Sequence, residues 1–326
     1  MRNSITRRGF NLGLGAGAAS LWLGGGAAWA QNKTIAIGTG GTGGVYYPLG
    51  GAIANVLSKN LPNVQATAEV TGGSVDNLKL IASGQSEIGF SMADAALDAS
   101  KGQDKFRQAV PLRTLLVVYP NRMHVVTVEG TGVEKMSDLK GKRVSTGSPG
   151  GATEVMAFRV IEAAGLDKDK DMKRERLGVA ESVNALKDRK IDAFFWVGGI
   201  PTAAVTDLAA TPGTKMKLVD HDDLVAKMNA KYGELYSPGS IPAGAYPGQA
   251  AANKNSDVWN ILVTNDKMSD DDAYRIVKTL VERKADLVAV HKEAESFSLD
   301  NQVQARSPVP FHPGALRYFQ EKGVKG

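Results

Sequence analysis

From Thr34 onward, short apolar stretches alternate with helical ones across glycine-rich turns, and this alternation constrains the fold more than any other feature of the chain. Residues 34–38 read as a strand and 38–44 as a turn. Leu49, Ala52, Ile53, Val56 and Leu57 then form the i, i+3, i+4, i+7, i+8 stripe of a helix opened by Pro48 and stopped by Asn60 and Pro62. Val64, Ala66, Ala68 and Val70 alternate as the next strand. Gly72-Gly73-Ser74 starts a helix carrying Val75, Leu78 and Ile81, which Gly84 ends. Strand 87–91 and helix 93–100 complete the first series. Strands that alternate with helices lie parallel, and parallel sheets take ligands at the carboxyl ends of their strands.

Residues 112–119 and 124–129 read as two strands separated by Pro120-Asn121-Arg122, where the chain is expected to cross between two lobes. A second α/β series follows: strand 143–146, turn 147–151, helix 152–164, strand 173–177, helix 182–187, strand 191–197, helix 202–209 and strand 215–219. Residues 237–255, rich in Pro, Gly, Ala and Ser, read as a long loop, and 259–264 as a strand returning to the first lobe. Ser269 with three aspartates starts a well-marked helix bearing Ala273, Ile276, Val277, Leu280 and Val281, and Pro313 opens a last one. At 326 residues the chain exceeds what one core usually fills, so two lobes are expected, over 31–122 and 123–263 with 264–326 returning to the first.

Residues 1–30 read as an export signal: a basic start, an uncharged stretch, and Ala28-Trp29-Ala30 as the cleavage site. Thr6-Arg7-Arg8-Gly9-Phe10 matches the twin-arginine form, and the glycines make the stretch a poor membrane anchor. Cleavage after Ala30 leaves 296 residues and implies a periplasmic protein. The formal charge of +5 owes three arginines to this leader; without them 36 basic residues face 34 acidic ones, interleaved, so no stripe suits nucleic acid. With no cysteine there is neither a disulfide nor a thiolate site. His124, His221, His291 and His312 are too scattered for a metal site, and no G-x-S-x-G elbow is present. No metal, no cofactor and no enzymatic centre are expected, and a monomer is.

Two turns carry the functional signal. Gly38, Gly40 and Gly43 spell G-x-G-x-x-G between a strand and a helix, the dinucleotide fingerprint, so an exported NAD(P)-dependent oxidoreductase is one reading. Against it, no acid appears before Glu69, and Tyr46 and Tyr47 stand where pyrophosphate would lie. The turn suits a smaller anion, with Thr hydroxyls and N–H groups aimed at a helix N-terminus and tyrosines as a wall; a plain tight turn would also use its glycines. Residues 145–153, Ser-Thr-Gly-Ser-Pro-Gly-Gly-Ala-Thr, repeat that chemistry in the second series, although Ser148 or Thr153 could equally serve as a helix cap. Neither turn contains Arg or Lys, which favours a carboxylate over a phosphorylated ligand. Asp94 is placed to cap its helix or to receive a ligand amino group.

Taken in order, Ile37 to Gly50, the turn at 147–153, Asp192-Ala-Phe-Phe-Trp-Val-Gly-Gly199, Ile241-Pro-Ala-Gly-Ala-Tyr-Pro-Gly248 and Pro310-Phe-His-Pro-Gly-Ala315 resemble the TAXI-type solute receptors of TRAP transporters over nearly the whole mature chain. The resemblance implies a type II periplasmic binding protein fold, α/β with two hinged lobes, and TRAP membrane subunits driven by an ion gradient as partners. The implied solute is a glutamate-like amino acid or a dicarboxylate such as 2-oxoglutarate. The implied pocket draws on Thr39, Thr42, Gly43, Tyr46, Ser91, Asp94, Ser148, Gly151, Thr153, Phe195 and Gly198. An ABC importer receptor would differ only in its membrane partner.

Overall fold

In a computed structural model that describes residues 33–324, the strand–turn–helix alternation begins with β1 (Lys33–Gly38), α1 (Tyr46–Asn60), β2 (Val64–Glu69), α2 (Ser74–Ser83), β3 (Ile88–Met92) and α3 (Ala93–Lys101). It continues with β4 (Leu112–Val128), β5 (Arg143–Ser145), α4 (Ala152–Ala163), β6 (Lys173–Glu175), α5 (Val179–Lys187), β7 (Ala193–Gly198), α6 (Ala203–Ala210) and β8 (Met216–Leu218). After α7 (Val225–Tyr232) come β9 (Tyr236–Ile241), β10 (Asn253–Asn265), α8 (Asp270–Glu282), the short α9 (Lys284–Val288) and α10 (Pro313–Glu321). The leader expected over 1–30 lies outside the described residues.

The stripe read on α1 is buried as expected: Leu49, Ile53 and Leu57 are fully enclosed, each contributing about 1.5–3 kcal/mol of transfer free energy. On α8, Ser269 Oγ accepts from Asp272 N at 3.2 Å, closing the positive end of the dipole, while Ala273, Ile276, Val277 and Leu280 face the core.

The sheet runs β2-β1-β3-β10-β4-β7-β5-β6, with β8 paired to β4 and β9 to β10. β1, β2 and β3 are mutually parallel, as are β6, β5 and β7, while β4 and β10 run antiparallel to their neighbours. Within the sheet of the described residues, the two parallel groups are joined through these long strands. β4 is one strand of 17 residues, where two had been expected: Pro120, Asn121 and Arg122 pair with Trp259, Val258 and Asp257 of β10, so the proline lies within a strand. Its missing N–H is tolerated where β4 passes from one group to the other and β10 carries an irregularity between Trp259 and Ile261. The segment expected as a loop holds two further pieces of sheet, because Tyr236–Ile241 pairs with Asn253–Val258. Asn260 to Val263 of β10 pair antiparallel with β3.

Candidate functional site

The carboxyl ends of both parallel groups open on one cavity of about 320 Å³. Its wall takes Gly40 to Tyr46 from the β1–α1 turn, Val70 to Ser74 from β2–α2, Met92 from the end of β3, Ser148 and Ala152 from β5–α4, Gly178 to Glu181 from β6–α5, and Trp196 to Gly198 from β7. Tyr119 and Asn121, from the middle of β4, form its floor. Five helices, α1 to α5, therefore start at this cavity. Their N-cap positions are Val45, Gly73, Met92, Gly151 and Gly178, and none supplies a side-chain cap.

Each uncapped start carries roughly half a positive charge. Among the lining residues only Glu181 is charged, and it is exposed, with its carboxylate folded back over the start of its own helix. Asp76 and Glu154, in the first turns of α2 and α4, are absent from the wall; Glu154 is held instead by Arg176 at 2.7 Å, Arg174 at 3.1 Å and Lys105 at 3.4 Å. The cavity field is thus built from backbone dipoles and hydroxyls, without a cation on the wall.

Of the residues expected to bind, Thr42, Gly43, Tyr46, Ser148 and Gly198 line the cavity. Tyr46 stacks on Phe90, with centroids 4.8 Å apart, and donates its hydroxyl proton to Asn260; burial pushes that phenol up. The other six stand behind the wall. Thr39 donates to the Glu69 carbonyl at 2.5 Å, stitching β1 to β2, and Ser91 donates to the Met92 carbonyl at 2.9 Å. Thr153 Oγ1 accepts from Val197 N at 3.4 Å, and Gly151 packs on the Gly72 carbonyl. Phe195 points into the larger core, since strand alternation sends it to the face opposite Trp196, which reaches the cavity.

Asp94 is the sharpest difference. It is fully buried, accepts from the Tyr236 hydroxyl at 2.8 Å and from Ala95 N in the first turn of its own helix at 2.8 Å, and lies 3.6 Å from Arg159 Nη1. Burial raises its carboxyl and Arg159 pulls it back down.

Reading turns alone missed Tyr119, Asn121, Trp196, Ser74 and the Gly178 turn. The assumed break at Pro120 hid the first two, and Gly72-Gly73-Ser74 had been read as a helix start only. In the structure the Tyr119 hydroxyl and Asn121 Oδ1 are enclosed and have no partner among the described residues, while Asn121 Nδ2 donates to Asn260 Oδ1 at 2.8 Å.

The two groups of turns touch across the cavity. Ser148 Oγ donates to the Gly72 carbonyl at 3.1 Å, Asp76 N donates to the Gly150 carbonyl at 3.1 Å, and Ala204 N donates to the Gly43 carbonyl at 3.3 Å. A Cβ on Gly44 would stand 2.9 Å from Trp196, so glycine is what lets the ring close over the β1–α1 turn.

Fold and cavity together define a mixed α/β protein whose two groups of parallel strands open on a shared cavity. The chain belongs to the NMT1-like family, whose model matches residues 37–323. Among solved structures, one from Bordetella bronchiseptica RB50 is similar at 16% identity, covering 89% of this chain and 98% of that one, with a TM-score of 0.52. The periplasmic aliphatic sulphonate binding protein SsuA from Escherichia coli is 13% identical over 90% of this chain and 94% of its own, with a TM-score of 0.47. A putative L-cystine ABC transporter structure from Listeria monocytogenes is 16% identical over 81% and 95%, with a TM-score of 0.49. Among the described residues no helix is long and apolar enough to cross a membrane.

Proposed function

We propose that the protein is an exported solute receptor that encloses a small carboxylate between two lobes and passes it to the membrane subunits of a TRAP-type transporter. The observation that carries this reading is the convergence of five uncapped helix starts, three from one parallel group and two from the other, on one cavity with no Lys or Arg among its lining residues. Micromolar affinity takes about 8 kcal/mol, and a hydrogen bond to a charged group nets roughly 1.5–3, so donors from both sides are needed. Thr42, Ser74 and the turn N–H groups are those donors, while the Ser148 proton goes to the Gly72 carbonyl. A carboxylate is small enough to be shared among them and needs no guanidinium fork.

In this reading the lobes meet at the crossing of β4 and β10, and ligand bridging biases the hinge toward closure. The bonds from Ser148 to Gly72 and from Asp76 to Gly150 then belong to the closed form. The TRAP partner rests on the sequence resemblance. The dinucleotide reading loses ground because Trp196 and the start of α5 at Val179 and Ala180 pack directly against Gly44 and Gly43, the glycines that a pyrophosphate would have to approach.

A thermal-shift screen of organic acids and amino acids tests the ligand class. At least one carboxylate raises the melting temperature, and NADP does not; if no carboxylate does, the proposal is wrong. Co-purification of the tagged receptor with its membrane subunits in the presence of that ligand tests the partner.

A further inference from the structure

We propose that this cavity, if it holds a carboxylate as read above, selects acids bearing a hydroxyl or oxo group over amino acids of the same skeleton, with Tyr119 and Asn121 reading that group. These two residues sit two apart on β4 and thus on one face of the strand, at the cavity floor. Tyr119 is fully buried and Asn121 is 1% exposed, yet among the described residues the Tyr119 hydroxyl and Asn121 Oδ1 have no hydrogen-bond partner. An enclosed polar atom left unpaired costs about 1–3 kcal/mol, so the floor is completed by its guest.

The chemistry of the guest follows from what the floor offers and from the charge around it. A hydroxyl both accepts and donates, and so can serve a phenol and an amide oxygen together. An oxo group serves the phenol alone. An ammonium would find neutral acceptors but no countercharge. Of the acids near the cavity, Glu181 on the wall is exposed, the Asp76 carboxylate accepts from Gly72 N at 3.2 Å at the turns and away from the floor, and Asp94, just past the end of β3, is bound by Tyr236 and Arg159 behind the wall. Five positive helix ends add a field that opposes a buried cation. Leaving a buried charge without its partner is the costly case, and an ammonium here has none.

Calorimetric titration of the purified protein with matched triplets provides the test: 2-hydroxyglutarate, 2-oxoglutarate and glutamate, then 2-hydroxyisocaproate, 2-oxoisocaproate and leucine. In the skeleton that binds, the hydroxy acid is tightest, the oxo acid within about tenfold and the amino acid weaker by about 100-fold or more. Tyr119→Phe removes a hydroxyl that has no partner among the described residues, so its fold is kept. It should reduce the advantage of the hydroxy and oxo acids over the unsubstituted acid (glutarate or isocaproate) by about tenfold. Binding of the amino acid as tightly as its hydroxy partner overturns the selectivity and leaves the receptor reading standing, as does a Tyr119→Phe protein with unaltered preference. If no acid in either triplet binds, the receptor reading falls and the selectivity falls with it.

Discussion

Ser148 Oγ donates to the carbonyl of Gly72 at 3.1 Å, tying the turn after β5 to the turn after β2 across the mouth of the cavity. The two turns belong to different parallel groups of the sheet, so this bond is made only where the groups approach. Removing it by Ser148→Ala deletes one neutral hydrogen bond, worth about 0.5–1.5 kcal/mol, from the closed form. Carboxylate affinity should fall by about two- to tenfold in calorimetry, while the urea midpoint stays within error of wild type. Thr42→Ala, on the facing turn, should behave alike. Wild-type affinity in both variants would remove these turns from the site.

The neighbouring contact is tighter. Asp76 N donates to the Gly150 carbonyl at 3.1 Å, and Gly150, at φ +83°, would place a Cβ 2.3 Å from the Asp76 carboxylate. Gly150→Ala therefore meets two obstacles at once, a left-handed backbone and a collision across the cavity. The collision is relieved by opening. Small-angle scattering with saturating ligand should show a larger radius of gyration for Gly150→Ala than for wild type. Equal radii would mean that the contact does not report closure.

Much of the fold was legible because its signals are local. The stripe on α1, the Ser269 cap with its three aspartates on α8 and the glycine stop after α2 each state a helix within a dozen residues, and each is found. What escaped depends on partners far along the chain. Pro120 looks like a break until β10 lies beside it, and residues 237–255 look like a loop until Tyr236–Ile241 finds Asn253–Val258. The site divides likewise. Glycine turns announced Thr42, Gly43 and Ser148, whereas Tyr119 and Asn121 carry no local mark and become cavity floor only through the strand crossing. Asp94 looked available because Arg159 is 65 positions away in the chain.

That arginine makes a prediction of its own. Arg159 is buried, donates to Tyr236 at 2.7 Å and to Asp98 at 2.5 Å, lies 3.6 Å from Asp94, and stacks on Tyr232 at 4.6 Å. It thereby fastens α3 to α4, helices that follow strands of different groups. Arg159→Ala strands the enclosed Asp94 charge and should cost about 3–5 kcal/mol in urea unfolding. Asp94→Asn combined with Arg159→Met removes both charges and should recover most of that loss. If the double variant is no more stable than Arg159→Ala, the loss comes from packing and not from the stranded carboxylate.

At the strand crossing, His124 gives the protein an acid sensitivity whose sign can be worked out. Its Nδ1 faces the Arg122 carbonyl at 2.9 Å and so carries the proton; Nε2, 2.8 Å from the Tyr246 oxygen, accepts the phenol proton. The ring is neutral and fully buried, and burial pushes it down to about 4. Unfolded, it titrates near 6.5, so between those values the unfolded chain binds a proton that the native one refuses, and stability falls as pH falls, by up to about 3 kcal/mol. Burial acts on His221 in the same direction. Asp257, on β10, opposes them: burial pushes its carboxyl up to about 6, so the native form takes its proton first and gains stability as pH falls toward 4. Asp257→Asn should therefore steepen the loss of urea midpoint between pH 7 and pH 5, and His124→Gln should flatten it. Parallel profiles for wild type and both variants would show that neither group titrates differently on folding.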